Sequence, residues 1–121
     1  MNKKKLNTNE VEIYNIGDIL ECGTAKGLGL LKQILWTEDD TKLYETSNCE
    51  GNCNWLPSDV KRVVCRLGDE VVYPGDSKIA PGKYKILGLK KVSDGVINIR
   101  ALKSGITVGR PVYLNPELIH N

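Results

Sequence analysis

An internal duplication constrains the fold of this chain more than any other feature of its sequence. Four segments of the first half recur in the same order in the second half. The matched pairs are residues 16–20 with 67–71, 23–26 with 75–78, 39–41 with 93–95, and 55–60 with 113–118. A repeat period of about 50 residues indicates a structural unit that occurs twice in the chain.

Each unit shows the pattern of short β-strands closed by turns. The chain has 12 Gly and 5 Pro, which disfavour long helices. β-type runs such as residues 19–22 and 96–100 end or begin at turn signals. Each unit reads as strand, long loop, long strand, tight turn, strand, loop, short strand, polar turn and last strand. Five strands in about 50 residues must curl into a closed barrel to bury a core.

The sequence therefore predicts an all-β protein of two tandem five-stranded small barrels. We place the first barrel at residues 13–65 and the second at 66–121, with residues 1–12 as a disordered basic lead. The alternative is one larger β-sandwich in which the two halves resemble each other only in the residues of their turns.

Residues 17–31 contain a Gly-Asp turn, an alternating strand, a glycine loop with Lys26-Gly27 and a second apolar strand. This segment resembles the KOW motif of SH3-like barrels in transcription elongation factors and some ribosomal proteins. The resemblance implies that both barrels are SH3-like and that Lys26, Gly27 and Lys78 lie in loops that contact RNA, a nucleoprotein or another protein. It weakens in the second unit, where residues 79–81 replace the Lys-Gly pair. The plainer interpretation is that the loop glycines only permit an irregular connection.

Positive charge is concentrated in the second unit. Residues 1–60 carry six Lys and ten acidic residues, whereas residues 61–121 carry eleven Lys and Arg and five acidic residues. Strict alternation along one strand puts Lys83, Lys85 and Lys91 on the face opposite Tyr84 and Ile86. The other candidate binding residues are Lys78, Arg100, Lys103 and Arg110. Such a face would contact RNA or DNA phosphates, with Tyr73 or Tyr113 stacking on bases. The alternative is a solvated face with both tyrosines in the core.

Four cysteines leave three alternatives open. Cys49 and Cys53 have a spacing allowed for zinc, and Cys22 and Cys65 would complete a four-thiolate site. The second alternative is a local disulfide, and the third is that all four cysteines are plain thiols. Plain thiols are favoured because Cys22 and Cys65 occupy positions suited to small apolar residues. We predict no metal and no cofactor.

Catalytic residues are scarce. The single histidine, His120, lies one residue from the end, so a base for a Ser or Cys nucleophile is lacking. Residues 23–29 lack the Gly-Lys-Ser/Thr ending of a nucleotide-binding loop. The acidic stretch at residues 38–40 is interpreted as a solvated hairpin tip.

We therefore expect a non-catalytic protein that binds another macromolecule. The first prediction is an adaptor or inhibitor of a protein or nucleoprotein complex, of the kind found among phage and mobile-element accessory proteins. The alternative is a KOW-type protein bound to RNA or DNA through the second barrel. No export signal precedes residue 13 and no apolar run is long enough to span a membrane, so a cytoplasmic location is expected.

Overall fold

A computed structural model describes residues 14–23 and 27–120. The all-β prediction is confirmed. The strands are β1 (Asp18–Cys22), β2 (Leu28–Trp36), β3 (Lys42–Asn48), β4 (Gly51–Trp55), β5 (Val60–Arg66), β6 (Glu70–Tyr73), β7 (Gly82–Ser93), β8 (Val96–Lys103) and β9 (Val112–Leu114), with 3₁₀ turns at Pro57–Asp59 and Pro116–Leu118. Within the described ranges, no helix is long and apolar enough to cross a membrane. The predicted lead, residues 1–12, lies outside them.

The strands form two antiparallel sheets, one from each unit. The first sheet has the order β4-β3-β2-β1-β5, and the second has the order β6-β7-β8-β9. One of the two sheets curls into a half-barrel. The second sheet has four strands among residues 70–114, one fewer than the five predicted.

The two units share a backbone hydrogen bond at corresponding positions. The Gly17 N–H donates to the Leu31 carbonyl at 3.0 Å, and the Gly68 N–H donates to the Ile86 carbonyl at 2.9 Å. Both glycines have a positive φ, 98° and 87°, which allows the same tight turn before β1 and β6. The opening hairpins of the two units therefore share one backbone arrangement.

The sequence match at the end of the units was wrong by one residue. It paired Trp55 with Tyr113, whereas the structure makes Trp55 equivalent to Leu114. Trp55 pairs with Tyr44 across β3 and β4, and Leu114 pairs with Ile99 across β8 and β9. Trp55 and Leu114 are buried, and each precedes the residue before its 3₁₀ turn. The shift leaves Tyr113 facing the other side of its sheet.

Two apolar clusters hold the chain together, and the larger one joins both units. The smaller cluster lies within the first unit and contains Tyr14, Leu20, Leu31, Tyr44 and Trp55. The larger cluster combines residues of the first sheet with the inner side of the second. Its members are Ile19, Leu28, Val64, Cys65, Val71, Tyr73, Tyr84, Ile86, Ile99, Ala101, Leu114 and Ile119. The two units therefore share a core.

Arg62 adds polar contacts between the units. Its Nη1 donates to the Ile119 carbonyl and its Nη2 to the Pro116 carbonyl, both at 2.8 Å. Its Nε donates to Glu21 at 2.7 Å. One side chain of β5 thus satisfies carbonyl groups around the second 3₁₀ turn.

Candidate functional site

A bulge in β7 decides which side chains reach the outer face of the second sheet. Ile86 pairs with Ala101, but the next pair is Gly88 with Arg100, so Leu87 is an extra residue on β7. An extra residue reverses the facing of every side chain that follows it. Before the bulge, odd-numbered residues of β7 point outward, and after it the even-numbered residues do.

The predicted position of Lys91 on the outer face is therefore wrong. Lys91 pairs with Ile97, which packs against the larger core cluster. Its Nζ lies 2.9 Å from the Glu50 carboxylate and 3.5 Å from that of Asp94. The Glu50 carboxylate raises the pKa of Lys91. Lys91 thus joins the units, because strict alternation fails at the bulge.

The outer face of the second sheet gathers four cations on two strands. Lys83 and Lys85 precede the bulge, Lys90 follows it, and Arg100 lies on β8 opposite Gly88. We call these four cations together with Tyr113 the basic face. All five residues are exposed, whereas the residues that alternate with them, Ile86, Ile99 and Ala101 among others, are buried. Glu70 shares this face, with its Oε1 4.0 Å from Lys83 Nζ.

The tyrosines divide between core and surface. Tyr73 is buried, so it offers no stacking face, and Tyr113 is 38% exposed. Tyr113 pairs with Arg100, which in turn pairs with Gly88, so the three residues form one row across β7, β8 and β9. A Cβ built on Gly88 would have nothing within 4 Å, so the row is open above that residue.

The remaining predicted binding residues lie apart from the basic face. Lys26 lies outside the described residues, and Gly27 accepts a hydrogen bond from the Cys22 N–H at 3.0 Å. Lys78 is exposed in the loop between β6 and β7. Lys103 pairs with the buried Tyr84 at the end of β8, and Arg110 is exposed between β8 and β9. Of the nine predicted residues, the basic face contains Lys83, Lys85 and Arg100, and sequence reasoning missed Lys90 because only the bulge brings it there.

A hydrogen-bond chain orders the loop that carries Lys78. The Asn115 N–H donates to the Tyr73 hydroxyl at 3.0 Å, and that hydroxyl donates to Asp76 at 2.6 Å. The other Asp76 oxygen accepts from the N–H groups of Lys78 and Ile79 at 2.7 and 2.8 Å. The bond from Tyr73 lowers the pKa of Asp76, and burial raises the pKa of Tyr73 to about 12. The loop is therefore tied to the start of the second 3₁₀ turn.

A cleft of about 530 Å³ opens between the two units. The first unit lines it with Glu21, Gly27 and Glu50, among others, and the second with Val96, Ile97 and Glu117 among others. Lys61 and Arg62 also line it, so its walls mix acidic, basic and apolar groups from the two units.

The cysteines do not form a metal centre in the described ranges. Those residues hold no group of three or more His, Cys, Asp or Glu side chains placed to bind a metal ion. No disulfide joins the four cysteines, all of which lie in the described ranges; Cys49 and Cys53 are exposed, and Cys65 is buried. Burial raises the pKa of Cys65 to about 12, so its thiol stays protonated at neutral pH. Cys22, Cys49, Cys53 and Cys65 are therefore not gathered into one group within the described residues.

No known protein family, no curated protein and no solved structure matches this chain.

Proposed function

We propose that this protein binds nucleic acid, without chemical turnover, through the basic face of its second sheet. The observation that carries the proposal is the bulge in β7, which puts Lys90 on the same face of the sheet as Lys83, Lys85 and Arg100. Clustered cations on an exposed face attract phosphates and release counterions when they bind. The inner side of the same sheet is buried in the shared core, so the outer face is the one available to a partner.

The charge of the basic face favours a polyanion. Its four cations are exposed, and the acid on the same face, Glu70, already lies near Lys83. The first unit carries the acidic excess of the chain, which would orient a polyanion toward the second unit.

We further propose that the two units are SH3-like and that the KOW-like segment reflects this relationship. Support comes from the order of elements in the first unit, where a 3₁₀ turn separates β4 from β5 as the predicted single polar turn does. The second unit repeats four of the strands and the turn. The described residues of the KOW-like segment, 17–23 and 27–31, contain β1 and the start of β2.

Binding should be measured by fluorescence anisotropy with a labelled oligonucleotide, both single-stranded and as a duplex, across a series of salt concentrations. With four cations on phosphates, the logarithm of the binding constant should fall with the logarithm of salt concentration at a slope of about −3 to −4. Lys85→Gln and Arg100→Gln should each weaken binding and reduce that slope by about 1. The oligonucleotide should be recovered intact.

Lys32→Gln is the matched control, because Lys32 is exposed on β2 of the first unit. It should leave the slope unchanged. The proposal is overturned if neither form of the oligonucleotide binds at low salt, or if Lys32→Gln weakens binding as much as Lys85→Gln does.

The cleft between the units favours a second candidate function, recognition of another protein. Glu21 is paired with Arg62 and Glu50 with Lys91, whereas Glu117, Val96 and Ile97 in its walls suit an extended segment that carries both basic and apolar side chains. An adaptor or inhibitor would use this cleft and leave the basic face free.

This candidate is tested by capture of partners from a lysate treated with nuclease. A protein partner bound in the cleft should survive nuclease and be lost with Glu117→Lys. Glu38→Lys, at the exposed turn after β2, is the matched control and should retain the partner. Loss of the partner on nuclease treatment would contradict the cleft as a protein site.

A further inference from the structure

We infer that the basic face takes a single-stranded nucleic acid and stacks one of its bases on Tyr113, an inference that rests on the proposed function. Tyr113, Arg100 and Gly88 occupy one row that crosses three neighbouring strands. Strands in a sheet lie about 4.8 Å apart, so the three positions span about 10 Å. That distance accommodates an extruded base beside the ring.

Each member of the row has a separate role. Tyr113 presents an aromatic ring that is 38% exposed. Arg100 presents a planar guanidinium, which stacks on bases and pairs with phosphates. Gly88 carries no side chain and has open space above it, so the chain of the nucleic acid can pass between the cations before and after the bulge. Lys85 and Lys90 flank this gap on β7.

An unpaired strand suits this row better than a duplex. Bases within a duplex stack on each other, so their faces are covered and cannot stack on an exposed tyrosine. Duplex sequence is read in the major groove by a helix or a two-stranded ribbon that projects from the protein. Within the described residues the helical segments are two 3₁₀ turns of three residues each. Stacking on a sheet, by contrast, needs only exposed aromatic groups beside cations.

The test compares Tyr113→Ala and Tyr113→Phe on oligonucleotides of about 12 nucleotides, a length suited to one small binding face. Three probes of equal length are used: a single strand, the same strand with abasic sites, and the duplex. Tyr113→Ala should weaken binding to the single strand by about tenfold, and Tyr113→Phe should keep nearly full affinity because the ring does the stacking. Neither change should alter binding to the abasic strand. RNA and DNA versions of the single strand show whether the 2′-hydroxyl contributes.

Trp36→Ala is the control for the loss of an exposed aromatic side chain, since Trp36 is 64% exposed on the first unit. It should leave binding to the single strand unchanged. Salt-dependent binding that Tyr113→Ala does not weaken would overturn this inference and leave the proposed function in place. Stronger binding to the duplex than to the single strand would overturn it as well. Absence of binding to every probe would overturn both.

Discussion

Lys91 and Glu50 form an ion pair between the two units, with Lys91 Nζ 2.9 Å from Glu50 Oε1. Glu50 lies in the turn between β3 and β4, and Lys91 lies near the end of β7. Lys90, its neighbour in the chain, is exposed on the opposite side of the same strand. Two adjacent lysines therefore have different roles, one between the units and one on the basic face.

The adjacent lysines give a direct test of the bulge. Lys90→Gln should weaken single-strand binding severalfold and reduce its salt slope by about 1, with no change in the free energy of unfolding. Lys91→Gln should leave binding unchanged and lower the free energy of unfolding only slightly, because the ion pair is partly exposed. Anisotropy and urea titrations measure the two quantities. Equal effects of the two changes on binding would contradict the assignment of faces.

Arg62 should contribute measurably to the attachment of the second 3₁₀ turn. Arg62→Lys removes the paired donors that reach the Pro116 and Ile119 carbonyls. We expect the free energy of unfolding to fall by about 1.5 to 3 kcal/mol, the range for hydrogen bonds from charged groups. Lys61→Gln is the control, since Lys61 Nζ lies 3.9 Å from Glu21 and its side chain is mostly exposed. If both variants unfold at the same urea concentration as the wild type, Arg62 has no such role.

The Tyr73 hydroxyl should stabilise the fold through its two partners. Tyr73→Phe leaves the Asn115 N–H and one Asp76 oxygen without this bond. The expected loss is about 1 to 2 kcal/mol in the free energy of unfolding. Tyr113→Phe removes a hydroxyl from an exposed tyrosine and should change stability by less than about 0.5 kcal/mol. Thermal and urea unfolding of both variants measure the difference, and equal stability would count against the hydrogen-bond chain.

The four cysteine thiols should differ in their rates of alkylation. Cys49 and Cys53 are exposed and should react first with iodoacetamide at neutral pH. Cys65 should react last, because burial raises the pKa of its thiol from 9.0 to about 12 and lowers its thiolate fraction by about a thousandfold. Mass spectrometry of partly labelled protein gives the order. Labelling of Cys65 as fast as Cys49 would show that the shared core opens readily.

The same shift predicts how stability depends on alkaline pH. The folded state binds the Cys65 proton more tightly than the unfolded state does, since the folded pKa is the higher one. Its contribution to stability is therefore complete below pH 9.0 and is lost as the pH rises toward about 12. Cys65→Ala should show a weaker decline over that range in urea titrations. A decline of unchanged steepness would assign the alkaline loss to other groups.

Local features of the fold could be predicted from the sequence. Gly17 and Gly68 each precede an aspartate and a β-type run, and both adopt the positive φ of a tight turn. The proline-containing turns at Pro57 and Pro116 likewise lie where the sequence predicts a polar turn. These features depend on residues a few positions apart, so the chain determines them without reference to its tertiary packing.

The candidate site depended on features that local patterns do not contain. Alternation along β7 correctly placed Lys83 and Lys85 on the outer face, but it placed Lys91 there too, because nothing in residues 86–88 marks the bulge except one glycine. The match of Trp55 with Tyr113 failed for a similar reason. Each unit has two adjacent large residues at this point, Trp55-Leu56 in the first and Tyr113-Leu114 in the second, and either one could face the core. Pairing with the next strand decides which one is buried.

The sequence by itself determined the strand class, the turns and the excess of positive charge in the second half. Only the tertiary structure decided that the two units share one core and that Lys90, rather than Lys91, joins the basic face. The physical reason is that strand and turn preferences act over a few residues, whereas a bulge and a shared core are selected by what each strand must bury against the rest of the chain.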